Sequence, residues 1–328
     1  MSAPLSKMRK FKPDMQISSP ILFSSLEEVN AFPHGWDTEF YALKAGLDGF
    51  RMERQEGAAT VLSVGHFRGP TLQLGSTPAG MQTFAIPQQS DGSLIWHRKS
   101  SNINSLLTFG NDRELHSTSD GPVSICTISI ALSALQDLSG SAGLEYSSGA
   151  ARVTHLASDE LNNVYENYLQ LAKFLAEADQ RQPDFALRQS TLEEGLQLAL
   201  LQASQPSNAS FAMSKAKSYK ILYRALEYIF AHLERPLRIT ALAKDLGISV
   251  RSLELCFQRH LGVPPKRVIN QLRLSVARRD LLNASPAEQS VTAIAERRGF
   301  WHLGQFSVDY RRAFGESPSE SLGKDRKY

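Results

Sequence analysis

Arg251, Glu254, Leu255 and Gln258 recur at three- and four-residue intervals, so a helix would place them on one face. A guanidinium can donate two hydrogen bonds to guanine, a carboxylate can accept one from cytosine N4, and an aliphatic side chain can contact a thymine methyl group. This combination is typical of a helix that reads base edges in a DNA major groove. Glu254 could instead pair within its own helix, with Arg251 or Gln258.

The apolar residues around this face predict two short helices joined by a sharp turn. They fall on one side of the segment ITALAKDLGISVRSLELCFQ: Leu242, Leu246, Ile248, Leu253 and Phe257. Gly247 occupies the turn, where glycine accepts backbone angles that other residues resist. Thr240 and Ser249 are expected to cap the two helices, and Ala243 allows close packing between them. The segment therefore predicts a helix-turn-helix unit.

A second unit of the same kind follows in VTAIAERRGFWHLGQFSVDYRRAF, residues 291–314, with Gly299 at its turn. Phe306, Tyr310 and Phe314 have the spacing of a helix core and are not expected to stack on bases. Residues 266–283 predict one long connecting helix, which could place two reading helices in successive major grooves about 34 Å apart. The base-reading candidates here are His302, Leu303, Gln305 and Ser307, with Gly304 allowing close backbone approach.

Residues 217–322 resemble the AraC/XylS type of transcription regulators. The resemblance is strongest in GFWHLGQFSVDYRRAFGESPSESL, and it rests on a glycine-aromatic pair, two spaced aromatic residues, Phe-Gly and Ser-Pro: Gly299, Phe300, Phe306, Tyr310, Phe314, Gly315, Ser317 and Pro318. Trp301 and His302 stand where the family commonly has a small polar cap, and Arg298 stands where a small or apolar residue is usual. The second recognition helix is therefore expected to begin differently from the family pattern.

Positive charge is concentrated in the C-terminal part. Residues 218–328 carry 19 Lys and Arg against 11 Asp and Glu, whereas residues 1–217 carry 17 against 22. This asymmetry is what contact with DNA phosphates requires. The candidate phosphate contacts are Lys244, Arg259, Lys266, Arg273, Arg278, Arg311 and Arg312. Some of these could instead be solvated or bridge to Asp280, Glu296 or Asp309.

The N-terminal part alternates short apolar segments with Gly, Pro and Asp. Eight strands are predicted: residues 40–43, 50–55, 59–67, 71–74, 82–86, 94–97, 106–109 and 123–130. Their number and spacing favour an antiparallel barrel or sandwich. A short helix is expected within residues 24–30. The resemblance to the AraC/XylS type implies a cupin-like barrel that holds an effector, although the residues themselves carry no cupin motif.

Between residues 158 and 203 the apolar residues take the spacing of helices. Ser158 or Asp159 is expected to cap the first of two amphipathic helices there. These helices could pack on the barrel or against a second copy of the chain, and the resemblance implies a homodimer. The chain is therefore predicted to be an α+β protein of two domains. Residues 1–205 form the effector-sensing and dimerisation domain, residues 206–216 a linker, and residues 217–328 an all-α DNA-binding domain with two helix-turn-helix units and a linker helix.

Other classes of protein find little support. The sequence holds no nucleophile elbow, phosphate-binding glycine loop or recognisable carboxylate pair, so an enzyme is not expected. The N-terminal histidines occur singly and without cupin ligand spacing, so neither a metal nor another cofactor is expected: His34, His66, His97, His116 and His155. Cys126 and Cys256 are expected to be buried thiols. No export signal or membrane span is recognised, which favours the cytoplasm.

The sequence and the resemblance together predict a sequence-specific transcription regulator, more typically an activator, that binds double-stranded DNA and a small effector. An activator would also contact RNA polymerase. In the alternative, the N-terminal domain binds a partner protein, or only dimerises, without a small ligand. The sequence does not reveal the effector, its pocket or the target promoter. Arg51 and Arg54, on one predicted strand, could face an anionic ligand or water.

Overall fold

The computed structural model describes residues 20–32, 35–44, 50–90, 94–96, 99–109, 115–144, 146, 152–205, 216–234 and 237–322. The strands in these residues are β1 (Ile21–Phe23), β2 (Asp37–Ala42), β3 (Phe50–Glu56), β4 (Thr60–Phe67), β5 (Thr71–Ser76), β6 (Met81–Ser90), β7 (Leu94–Trp96), β8 (Lys99–Ser101), β9 (Ser105–Thr108), β10 (Leu115–Ser119), β11 (Val123–Ala131) and β12 (Arg152–His155). The helices are α1 (Leu26–Ala31), α2 (Leu132–Ala142), α3 (Ser158–Glu177), α4 (Phe185–Ala203), α5 (Ala216–Ala231), α6 (Ile239–Asp245), α7 (Val250–Leu261), α8 (Pro265–Asn283), α9 (Val291–Arg297), α10 (Leu303–Phe314) and α11 (Pro318–Ser321).

The strands form two antiparallel sheets. One has the order β1-β3-β4-β11-β6-β9-β12 and the other the order β2-β5-β10-β7-β8. Within the described residues no strand of one sheet pairs with a strand of the other, so the expected barrel is not closed. The arrangement is closer to the sandwich that the strand spacing also allowed. All eight expected strands are present, and β1, β8, β10 and β12 are additional.

Aromatic side chains fill the space between the two sheets. The rings of Phe50 and Phe67 are tilted against each other with centroids 4.4 Å apart, and the ring of Phe40 from the smaller sheet lies 5.2 Å from that of Phe67. At the other end Trp96 meets Phe109 edge-on at 4.1 Å. Strand alternation directs these residues to one face of each sheet, and their burial holds the two sheets together.

Helices α3 and α4 cover the larger sheet, as the helical period between residues 158 and 203 predicts. Their buried side chains share one apolar cluster with strands β4, β6 and β11. The expected Ser158 or Asp159 cap is wrong, because α3 begins at Ser158 and the residue before it is Ala157. The Glu160 carboxylate instead accepts a hydrogen bond from the Ala157 amide at 2.8 Å. The apolar faces of these helices are therefore occupied within the chain.

The C-terminal part is entirely helical in its described residues and contains two apolar clusters, one for each helix-turn-helix unit. The connecting helix α8 runs from Pro265 to Asn283, close to the predicted bounds. All of the expected linker except residue 216 lies outside the described residues. Cys126 and Cys256 are both buried and unpaired with each other, as expected.

The smaller sheet also packs against the C-terminal part. Tyr41, Leu72 and Ile95 share an apolar cluster with Leu226 and Ile229 of α5. Tyr41 additionally lies 5.2 Å from the ring of Phe230. This sheet therefore has one face toward the sandwich interior and the other toward the helical part.

None of the helices in the described part of the chain is long and apolar enough to cross a membrane. The same residues contain no cluster of three His, Cys, Asp or Glu side chains that could hold a metal ion. His66 and His155 each contact one serine, at 2.8 Å from Ser124 and 3.1 Å from Ser105. His34, His97 and the side chain of His116 lie outside the described residues.

Candidate DNA-binding surface

The first helix-turn-helix unit is built from α6 and α7. Gly247 has a φ of 67° in the turn between them, which is the left-handed region that glycine tolerates. The Ser249 hydroxyl accepts a hydrogen bond from the Ser252 amide at 3.1 Å, so Ser249 caps α7 as predicted. Thr240 does not cap α6, because the helix already begins at Ile239 and Arg238 occupies the cap position without a side-chain bond.

The four base-reading candidates of the first unit all lie on the exposed face of α7. Leu253 and Phe257 are buried beneath them, so the period of the helix directs Arg251, Glu254 and Leu255 outward. Neither Arg251 nor Glu254 forms an ion pair or a side-chain hydrogen bond with any described residue. Gln258 donates weakly to the Gly262 carbonyl at 3.3 Å. The intrahelical pairing considered for Glu254 is therefore absent here.

The second unit is built from α9 and α10. The Ser290 hydroxyl caps α9 by accepting from the Ala293 amide at 3.1 Å, and Gly299 turns the chain with a φ of 80°. Phe306 and Tyr310 are buried with ring centroids 5.5 Å apart, which confirms that they form the core. The cap position of α10 is His302, whose side chain makes no capping bond.

The candidates on α10 differ in exposure. His302, Gly304, Gln305 and Ser307 are exposed, whereas Leu303 is half-buried against the core of the unit. Gln305 donates to the Asp309 carboxylate at 2.9 Å, and Ser307 donates to the Leu303 carbonyl at 3.0 Å. His302 and Gln305 therefore remain at the surface, and Leu303 is positioned mainly to pack.

Five of the seven candidate phosphate contacts are exposed: Lys244, Arg259, Lys266, Arg311 and Arg312. Arg311 lies 4.0 Å from Glu320, and Arg312 lies 3.9 Å from Asp309. Exposed pairs at these distances contribute little, so both guanidinium groups can turn to a phosphate.

Arg278 and Arg273 are less exposed and have partners within the chain. Arg278 is only 11% exposed and lies 3.4 Å from Glu27 and 3.1 Å from Glu316, with its guanidinium 4.6 Å from the Phe314 ring. Carboxylates therefore already surround the charge of Arg278 in this structure, and its contact with a DNA phosphate stays a prediction. Arg273 is half-buried and donates to the Leu233 carbonyl at 3.2 Å, and burial lowers the pKa of its guanidinium.

Arg298, which departs from the family pattern, joins the two units. It donates to the Asp280 carboxylate of α8 at 2.6 Å and 3.2 Å and to Glu234 at 2.8 Å. The hydrogen bond to Asp280 is the main reason that the pKa of Arg298 is raised. Arg297 adds a longer contact to Asp280 at 3.5 Å. The departure is thus explained by a contact between the turn of the second unit and the connecting helix.

A second candidate site lies between the two sheets, and the sequence did not reveal it. The cavity measures about 60 Å³ inside, and its empty space reaches about 580 Å³ when the part open to solvent is included. Most of its lining is apolar or aromatic: Val29, Trp36, Phe40, Phe50, Met52, Gly65, Phe67, Trp96, Phe109 and Ile125. The polar lining consists of Thr38, Arg54, Ser63, Gln73 and Thr127. Alternation along β2 was the available signal, because Thr38 and Phe40 share one face.

Arg54 and Arg51 lie on opposite faces of β3. Arg54 lines the cavity and its guanidinium is 2.9 Å from Glu56. Arg51 pairs with Glu53 on the face toward α3. Only Arg54 is therefore placed to meet a molecule between the sheets, and its charge is already balanced by a neighbouring carboxylate.

Comparison with known proteins places the similarity in the C-terminal part. Residues 242–323 match the family described as a helix-turn-helix domain. The chain is 46% identical over 102 residues to a probable thc operon regulatory protein of Rhodococcus erythropolis, covering 31% of each chain. It is 38% identical over 104 residues to the XylDLEGF operon transcriptional activator of Pseudomonas putida, covering 32% of each. The matched region thus spans about a third of the length of these curated relatives.

Among solved structures, a probable AraC family transcriptional regulator from Rhodopseudomonas palustris is 40% identical. The match covers 33% of this chain and 98% of that one, with a TM-score of 0.31. The family match extends from α6 to α11, the elements that include both recognition helices. The C-terminal part of this chain is therefore a helix-turn-helix DNA-binding domain of the AraC/XylS type of transcription regulators.

Proposed function

We propose that this chain is a sequence-specific transcription regulator that activates its target and responds to a small effector bound between the sheets. In this proposal residues 1–205 sense the effector and dimerise, and residues 217–328 bind DNA. Residues 206–216 are the linker between these two domains. The protein acts in the cytoplasm on double-stranded DNA and has no catalytic role. The Pseudomonas putida relative is named a transcriptional activator, and activation by this chain would require contact with RNA polymerase.

One observation carries the DNA-binding proposal. Helices α7 and α10 lie on either side of the connecting helix α8 in the chain, and each has a face of exposed polar residues. Exposed Lys and Arg residues lie beside both faces. Arg251 is the best-placed base contact, because it lies near the start of α7 and forms no internal pair among the described residues. His302 and Gln305 occupy the corresponding surface at the start of α10.

A pair of arginine variants tests the assignment of base and phosphate contacts. Arg251→Ala should weaken binding to a specific site, selected by the full chain from a random duplex pool, by about 1–3 kcal/mol. Binding to unrelated duplex should stay nearly unchanged. The matched control is Arg259→Ala, which should weaken binding to both duplexes. The loss of one phosphate contact should also reduce the slope of log affinity against log salt concentration by about one. Equal losses on both duplexes for Arg251→Ala would make Arg251 a phosphate contact.

The effector part of the proposal rests on the cavity between the sheets. The Thr38 hydroxyl is buried there and has no hydrogen-bond partner among the described residues. A buried hydroxyl without a partner is costly, so a bound molecule that accepts or donates a hydrogen bond would relieve that cost. The cupin-like character implied by the resemblance agrees with a ligand between two antiparallel sheets.

Strand β2 supplies a route from this cavity to the DNA-binding part. Thr38 and Phe40 line the cavity, whereas Glu39 and Tyr41 face the helices on the opposite side. The Glu39 carboxylate accepts hydrogen bonds from Tyr41 and from Arg279 of α8. A ligand that displaces β2 by contact with one face must therefore also move the residues that hold the connecting helix.

Thermal melting of the full chain with a panel of metabolites and nucleotide second messengers tests this effector. A ligand at one hundred times its dissociation constant should stabilise the protein by about 2.7 kcal/mol. Thr38→Val keeps the shape of the side chain and should reduce the affinity of a hydrogen-bonding ligand roughly threefold to tenfold. Silence across a broad panel would favour the alternative in which residues 1–205 bind a partner protein or only dimerise.

Dimerisation through residues 158–203 remains part of the proposal, but it must use the outer faces of α3 and α4. Their inner faces are buried against the larger sheet. Sedimentation of the full chain measures the oligomeric state directly. A monomer at micromolar concentration, in the presence of target DNA, would remove the dimer from the proposal.

A further inference from the structure

The two recognition helices carry an exposed aliphatic side chain at the same position. Leu255 lies six residues after Ser249, which caps α7, and Val308 lies six residues after His302, which holds the cap position of α10. Leu255 is 60% exposed and Val308 is 52% exposed. A single exposed aliphatic residue needs no explanation, but the same placement in both units indicates a shared contact.

The surroundings of Leu255 and Val308 are polar and carry more positive than negative charge. Arg251, Gln258 and Arg259 are exposed near Leu255 on α7, together with the carboxylate of Glu254. Gln305, Arg311 and Arg312 are exposed near Val308 on α10, where Asp309 is half-buried. A protein partner with an apolar surface would meet these charges at unfavourable cost, whereas a DNA duplex supplies phosphates for the cations and hydrogen-bonding groups for the amides.

Within the major groove, the C5 methyl group of thymine is the apolar feature that an aliphatic side chain can contact. Trp301 is also exposed, but the residue at the same distance beyond the turn glycine of the first unit is the polar Ser249. Trp301 therefore has no counterpart, and Leu255 and Val308 form the only such matched pair among the exposed large apolar residues described.

We propose that Leu255 and Val308 each contact the methyl group of one thymine, at equivalent places in two half-sites about one helical turn apart. This inference rests on the proposed DNA-binding function and extends the contact expected of Leu255 to the equivalent place in the second half-site. Val308 was not among the base-reading candidates suggested by the sequence. Removing one buried methyl group should reduce affinity about fourfold, and the two effects should multiply because the side chains belong to separate units.

The test begins with selection of binding sites from a random duplex pool by the full chain. Each thymine of the selected site is then replaced singly by deoxyuridine, which removes only the methyl group. We expect one thymine in each half-site to show about a fourfold loss. Leu255→Ala should abolish the loss in the first half-site alone, and Val308→Ala should abolish it in the second alone.

Leu187→Ala is the matched control, because Leu187 is also an exposed aliphatic residue, 71% accessible, on α4 and far along the chain from both units. It should retain both deoxyuridine effects. Failure to select any site would overturn the DNA-binding function itself. If a site is selected but no single deoxyuridine replacement changes its affinity, the methyl contacts would be overturned and the DNA-binding function would stand. Unchanged deoxyuridine effects in both alanine variants would show that the two side chains contact something else.

Discussion

Glu193 of α4 is a buried carboxylate that ties this helix to the turn between β3 and β4. Its oxygens accept hydrogen bonds from the amides of Ala58 and Ala59 at 2.7 Å and 2.9 Å. A third bond comes from the Gln189 side chain at 2.9 Å. Only 3% of Glu193 is exposed, so its charge depends on these three donors for the interactions that water would otherwise provide.

Replacing Glu193 by Ala should lower the free energy of unfolding by about 3 kcal/mol. A hydrogen bond to a charged group contributes about 1.5–3 kcal/mol, so the loss of three such bonds at full strength would exceed the expected value of about 3 kcal/mol. The total is reduced because Ala58 is exposed and Ala59 half-buried, so water can replace the lost acceptor at both amides. The melting temperature should fall by about 6–12 °C. Glu193→Gln keeps the volume but offers only one acceptor oxygen, so it should lose about half as much.

Urea denaturation followed by circular dichroism measures these differences. Glu194→Ala is the matched control, because Glu194 is the exposed neighbour and its one hydrogen bond among the described residues comes from Ser190 at 3.2 Å. That variant should remain within about 0.5 kcal/mol of the parent chain. If Glu193→Ala were as stable as Glu194→Ala, the buried carboxylate would not hold α4 to the sheet, and the reasoning would be refuted.

Three further measurements test the local structure. His302→Asp should stabilise the chain by about 1 kcal/mol in thermal melts by capping α10, whereas Ser249→Ala should destabilise it by a similar amount; equal effects of both would contradict the cap assignments. Tyr310→Phe should cost about 1 kcal/mol in urea denaturation because the buried hydroxyl donates to Ser321 at 2.7 Å, and no loss would show that this bond contributes nothing. Burial raises the pKa of the Cys126 thiol to about 12, so at pH 8 it should react with a thiol reagent only after unfolding; rapid reaction in the folded chain would disprove its burial.

The helical part of the fold could be predicted closely because its signals are local. Apolar spacing and the turn glycines Gly247 and Gly299 sufficed for both units, and α8 ends at the predicted Asn283. Thr240 was the wrong cap because α6 begins one residue before it, a difference that depends on backbone angles and not on residue type.

The sheets were harder to predict because strand pairing is not local. Strand β10, with the sequence LHSTS, lies inside the smaller sheet between β5 and β7 although its composition is polar. Whether the strands close into a barrel depends on pairings at the sheet edges, which composition does not encode. The cavity was missed for the same reason, since Phe40 and Phe67 come from different sheets and only pairing and packing bring them to 5.2 Å.

The sequence was sufficient to predict which face of the recognition helix is exposed. It was not sufficient to predict which side chains surround each candidate contact residue. The period of α7 places Arg251 and Leu255 outward, and the structure agrees on their exposure. Arg278 was assigned to phosphate because it is a cation on the connecting helix. Its neighbours Glu27 and Glu316 lie about 250 and 38 positions away along the chain, and sequence alone does not show that they converge on it.

The joint between the two units bears on how an effector could act. Arg298 and Asp280 are 15% and 16% exposed, and such a sheltered pair with two hydrogen bonds is held more firmly than a surface ion pair. Arg278 adds a bond from the same helix to Glu316, just beyond α10. These contacts fix the second unit to α8, and the first recognition helix shares an apolar cluster with the same helix. The separation of the two recognition helices is therefore set within one chain.

Movement of β2 reaches α8 through Glu39 and Arg279, and it therefore reaches both units together. An effector that acts by this route would shift the DNA-binding part as one body. It would change how that part is presented to DNA, or how two copies of the chain are placed relative to each other. The distance between the two half-sites read by a single chain would stay the same with and without the effector, because the contacts that set it do not include β2.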